Sequence, residues 1–63
     1  MPADAAALSS LATTLTELER RVGQLGQSYE GSDRDDVMAA LFDAERNLRA
    51  AVRSVETARA RLG

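Results

Sequence analysis

The chain contains no cysteine and no histidine, and all eight of its basic residues are arginine, so lysine is missing as well. Each absence removes a class of chemistry. Without cysteine there is no disulfide and no thiolate metal site, and without histidine the commonest zinc ligand and general base is gone. Serine and threonine are plentiful, yet the base that ordinarily activates a hydroxyl nucleophile is missing, as is the amine that forms Schiff bases. Aromatic residues amount to one Tyr and one Phe, 3% of the chain, which argues against strands, since these favour β-branched and aromatic side chains. No stretch approaches the roughly 18 consecutive apolar residues of a membrane span. Met1-Pro2-Ala3-Asp4 has neither the basic region nor the apolar core of a signal peptide. These absences set the first expectations: no enzymatic activity, no cofactor, no metal, no membrane insertion, and residence in the cytoplasm.

What is present is helical. Hydrophobic residues make up 44% of the 63 positions, with a large share of alanine, and charged residues 29%. The formal net charge of −2 is close to neutral and gives no basic footprint. Exclusive use of arginine fits the codon bias of a GC-rich, bacterial genome. A chain this short buries only about 60% of the surface that its unfolded form exposes, so it needs a staple or a partner. With disulfides and metals excluded, association is the expected source of stability.

Leu8, Leu11, Leu15, Leu18, Val22, Leu25 and Tyr29 are spaced alternately by three and four residues, an a/d repeat sustained for three heptads. Polar residues fill the intervals, so residues from about 4 to 27 read as an amphipathic helix. Gly23 and Gly26 weaken its last turns by roughly 1 kcal/mol each relative to Ala, and the helix is expected to fray or stop early there. A turn follows at about 28–32, where Gly31 can take the left-handed conformation that ends a helix. Ser32 with Asp35, or Asp33 with Asp36, resembles the capping arrangement that opens the next helix. That second helix is expected over about 33–61. Three aspartates lie at its positive dipole end, and Arg59 and Arg61 near its negative end.

On the second helix Leu41, Leu48, Val55 and Leu62 recur every seven residues, with Val37, Ala44, Ala51 and Ala58 in the partner positions. Met38, Phe42 and Val52 widen this stripe beyond what one facing helix can cover. A single continuous helix is disfavoured by register. Extending the first seam past Tyr29 would bury Asp36, Asp43, Arg46 and Arg53 along with Ala39 and Ala50. The expected fold is therefore all-α: a single domain over 1–63, an antiparallel, coiled-coil-like two-helix hairpin that dimerises into a four-helix bundle.

Several local patterns invite chemistry and carry little of it. Asp33-Arg34-Asp35-Asp36 is too compact for a calcium loop, whose ligands spread over twelve residues, and reads as helix capping. Glu17 with Arg21, Asp43 with Arg46, Glu45 with Arg49 and Glu56 with Arg59 read as surface ion pairs worth a few tenths of a kcal/mol. Gly23-Gln24-Leu25-Gly26 matches the GxxG of KH domains only as a string, since those domains need a sheet. Arg46, Arg49 and Arg53 form a cationic stripe that could contact anions or nucleic acid, but Glu45 and Glu56 flank it. Tyr29-Glu30-Gly31 at the bend resembles the Trp-x-Gly turn of the WXG100 family, small exported helical hairpins. The likeness covers three residues, with Tyr in place of Trp and no Tyr-x-x-x-Asp/Glu signal after the second helix.

The expected function is a protein–protein interaction module, an adaptor, scaffold or regulatory subunit that binds itself as a homodimer or binds another helical protein. Its expected interface comprises Leu11, Leu15, Leu18, Val22, Leu25, Val37, Met38, Leu41, Phe42, Leu48, Val52 and Val55. The alternatives are a nucleic-acid-associated regulator using the arginine stripe, and a hairpin docking on a larger partner in the manner of an antitoxin, anti-sigma or secretion-related module.

Overall fold

A computed structural model describes residues 2–63, with the side chain of Pro2 outside the description. Two helices, α1 (Pro2–Gln27) and α2 (Asp35–Leu62), pack against each other along their lengths as a hairpin. The result is a rod of 49 × 14 × 9 Å. Its radius of gyration, 14.7 Å, far exceeds the roughly 11 Å of a globular chain of this length. Its accessible surface, 4525 Å², likewise exceeds the roughly 3,950 Å² typical of a monomer of this mass. A rod two helices thick has almost no interior. Among the described residues Ala12 is the one buried hydrophobic side chain, and no large side chain is fully buried.

The turn follows the sequence closely at one position and departs from it at another. Gly31 has φ +77°, the left-handed region that glycine enters without steric cost. The Ser32 amide donates to the Tyr29 carbonyl at 3.0 Å, closing a turn around it. The second helix, however, opens two residues later than expected. Its cap position is Arg34, with no side-chain cap bond. The Ser32 hydroxyl instead accepts from the Arg34 amide at 3.1 Å, and the Arg34 carbonyl accepts from the Val37 and Met38 amides. Serine's preference for bonding a backbone amide two residues on has been used to shape the turn, which leaves the helix entrance to Arg34. Asp35 and Asp36 in the first turn and Arg59 and Arg61 in the last complement the dipole.

The seam between the helices is rotated from the leucine line. Leu8, Leu15, Val22 and Tyr29 are half-buried, but their companions on α1 are Ala5, Ala12, Glu19 and Gly26, each buried or half-buried, while Leu11, Leu18 and Leu25 are exposed. The cause is close approach. A Cβ at Gly26 would lie 2.8 Å from Phe42 Cε1 and 3.4 Å from Leu41 Cβ, so the bulk of α2 fits only where α1 has no side chain. The glycines read as helix-weakening thus form a notch, and α1 continues unbroken through both. On α2, Val37, Met38, Leu41, Phe42, Ala44, Leu48, Ala51, Val52 and Val55 are all half-buried. The wide stripe of α2 is therefore partly covered by α1, and the most exposed leucines belong mainly to α1.

The two buried glycines should respond differently to a methyl group. Gly26→Ala gains about 1 kcal/mol of helix propensity but overpacks against Phe42 at a cost of about 1–3 kcal/mol, so it should lower the thermal midpoint, with recovery in Gly26→Ala/Phe42→Leu. Gly23 faces the mobile end of the Glu45 side chain, which can swing away, so Gly23→Ala should raise the midpoint. Thermal unfolding followed by circular dichroism checks both; equal effects at the two sites would contradict the notch.

Candidate interaction surface

The register of the hairpin is fixed by three contacts. Gly26 faces Phe42, Gly23 faces Glu45, and the Arg49 guanidinium donates to Glu19 at 3.0 Å. Each step down α1 is matched by an equal step up α2, so Leu25 lies level with Asp43, Leu18 with Ala50 and Leu11 with Thr57, each one residue before an alanine of the line Ala44, Ala51 and Ala58. One residue is 100° of helix. Leu11, Leu18 and Leu25 consequently stand about a quarter-turn to one side of the buried line through Ala12 and Gly26, and Ser9, Thr13 and Thr16 stand to the other side.

These two sides give the rod two unlike faces. Shallow grooves bring Ser9, Thr13 and Thr16 of α1 beside Glu56, and Thr16, Arg20 and Gly23 beside Glu45. This polar face also carries the cross-helix pair Arg49–Glu19 and the longer Arg49–Glu45 contact at 3.9 Å. The Thr13 and Thr16 hydroxyls donate back to the Ser9 and Ala12 carbonyls. The opposite face presents Leu11, Leu18 and Leu25 from α1 and, because α2 runs the other way, Val37, Ala44, Ala51 and Ala58 from α2. Helical period places Ala7, Thr14, Ala40, Asn47 and Ser54 at its rims, with Arg21, Asp36, Asp43 and Arg61 as the rim charges and Asp4 at the far end of the leucine line.

The apolar face is a ridge beside a furrow. Leu11, Leu18 and Leu25 keep 53%, 38% and 52% of their surface in solvent, while the alanines next to them are short. Full burial of one leucine is worth about 1.5–3 kcal/mol, so three in a row leave a substantial part of the available burial unused. A groove of about 560 Å³ lies along this ridge, lined by Leu18, Arg21, Val22, Gln24, Leu25 and Ser28. That volume would suit a small ligand, but the groove is open and is built from α1 and the first turn residue, Ser28.

The residues expected at an interface are distributed unevenly over the structure. Leu15, Val22, Val37, Met38, Leu41, Phe42, Leu48, Val52 and Val55 are partly covered within the hairpin, and Leu11, Leu18 and Leu25 project from it. Of the arginine stripe, Arg49 is held by Glu19 and Glu45, Arg46 by Asp43, and Arg53 is exposed. Carboxylates thus accompany two of the three candidate anion contacts. The Arg49–Glu19 bridge had one signal in the sequence, a lone acidic residue among the apolar and small positions of α1. Among the described residues no three carboxylates, histidines or cysteines gather as metal ligands would, and no helix is long and apolar enough to cross a membrane. The chain matches no protein-family model, and no curated protein or solved structure is significantly similar to it.

The remaining ion pairs are local. Glu17 accepts from Arg20, rather than from the expected Arg21, and Glu56 from Arg59 at 3.0 Å. The Arg20 guanidinium holds the Glu17 carboxyl below the usual carboxylate range. Asp36 is lowered by its bond from Arg34 and then by the Val37 amide. A carboxylate whose folded value lies below its unfolded one stabilises at neutral pH, and that contribution is lost as pH falls through the lowered value. Stability should therefore decline below about pH 4, and Glu17→Gln/Asp36→Asn should flatten that decline. Urea midpoints across an acid series measure it, and an unchanged slope would show that neither pair contributes.

Proposed function

We propose that this chain is a non-catalytic protein–protein interaction module: a helical hairpin that self-associates and serves as a small adaptor, scaffold or regulatory subunit. The observation that carries this reading is the pairing of an almost coreless rod with a row of solvent-exposed leucines spaced seven apart. A lone hairpin closes off Ala12 and little else, whereas a second helical layer over the leucine face would enclose a continuous apolar centre. Small domains ordinarily obtain missing burial through staples or oligomerisation, and this sequence has no cysteine or histidine from which to build a staple. Nothing in the reading requires a cofactor.

Light scattering at micromolar concentration should give a mass near twice 6.8 kDa. Leu11→Gln/Leu18→Gln/Leu25→Gln should reduce it to the single-chain mass and lower the helical signal. Leu48→Asp, placed in the seam between the helices, should abolish helicity and association together. A stable, fully helical monomer of the natural sequence would overturn self-association. A weakly helical monomer that sharpens on adding a larger protein would overturn it in favour of docking on that protein.

A further inference from the structure

Resting on the self-association just proposed, we infer that the second copy sits with its two-fold axis parallel to the helices, so that the leucine ridge of each hairpin enters the alanine furrow of the other and both turns lie at the same end. The argument starts from axial level. Within one hairpin the contacts of Gly26 with Phe42, Gly23 with Glu45 and Glu19 with Arg49 set Leu11, Leu18 and Leu25 within one residue, about 1.5 Å, of the levels of Ala58, Ala51 and Ala44. A two-fold rotation about an axis along the rod leaves every level unchanged. It carries α1 of one copy over α2 of the other, and each leucine arrives within one residue of an alanine of the furrow.

The other two-fold arrangement, perpendicular to the rod, lays α1 on α1 and α2 on α2. Leucine then meets leucine and alanine meets alanine, which props the layers apart on one side and leaves a void on the other. Cores fill by alternating large and small side chains across facing positions, and empty volume is destabilising. A symmetric pair also needs one patch that complements itself, and the ridge-and-furrow face does so to within one residue, about 1.5 Å, along the rod.

Area and charge agree with a second copy as the occupant. The broad face, 49 by 14 Å across its Cα atoms, offers roughly 700 Å² before side chains widen it, close to the roughly 800 Å² that each partner contributes to a stable complex. The polar face, with Arg49, Glu19, Glu45 and Glu56, stays in water in this arrangement. In the resulting bundle α1 and α2 of each copy have one neighbour from their own chain and one from the other.

Nitroxide labels on Glu30→Cys, in the exposed turn of this cysteine-free chain, test the orientation by pulsed electron paramagnetic resonance. Turns at the same end predict a separation of about 20 Å, two helix diameters, whereas a separation near the 49 Å length of the rod would overturn it. Mixing Leu18→Cys with Ala51→Cys chains under mild oxidation tests the face: a mixed disulfide is expected. A disulfide between the position-18 thiols of two copies in the Leu18→Cys chain alone, or a dimer by mass in which the mixed disulfide never forms, would overturn the arrangement while leaving self-association standing. A monomer at every concentration would remove both.

Discussion

The close contact of Gly26 with Phe42 governs how the rest of the molecule is disposed. Two helices can approach only where their facing side chains leave room, and on α1 that room lies along Ala12 and Gly26, one helical step away from the leucine line. Once the bulk of α2 settles there, α1 cannot also turn Leu11, Leu18 and Leu25 toward its neighbour. The intramolecular contact and the free apolar face are two consequences of one rotation. A glycine that costs helix propensity in an isolated segment here allows the packing that holds the segment in place.

This rotation also separates the polar chemistry from the apolar. Glu19 falls in the inner line of α1, where a carboxylate would be costly without a partner, and Arg49 reaches across from α2 to meet it. Glu45 supports the same guanidinium from its own helix. The three charges cluster on one broad face with the threonine hydroxyls, and the centre of the opposite face is left with leucine and alanine, with charges at its rims. A hairpin with one wet and one greasy side has a defined orientation toward a second layer, which a uniformly amphipathic rod would lack.

Much of this was legible in the sequence. The two helices, the turn at Gly31 and the shortage of core follow from heptad spacing, glycine's access to positive φ and chain length. The boundary at Arg34 was not, because Ser32 can either cap a helix or shape a turn, and local sequence does not decide which. Neither was the rotation of α1. Leucine periodicity gives the direction of greatest hydrophobicity, whereas packing follows the direction of closest approach, and these differ when small residues flank a leucine line. Ala5, Ala12 and Gly26, seven or fourteen apart, were the available sign, and Glu19 interrupted it. For the same reason the heptad pattern points to Met38, Phe42 and Val52 on α2 as the excess apolar surface, all of which α1 partly covers.

The most direct check is an isotope-filtered nuclear Overhauser experiment on a mixture of labelled and unlabelled chains, observing the leucine methyl groups. Leu11, Leu18 and Leu25 should show contacts to alanine methyls of the other chain, while Gly26 shows contacts to the Phe42 ring of its own. If those three leucines showed no contact with another chain, the second layer would not exist, and if they instead touched Leu41 and Leu48 of their own chain, α1 would be turned the other way.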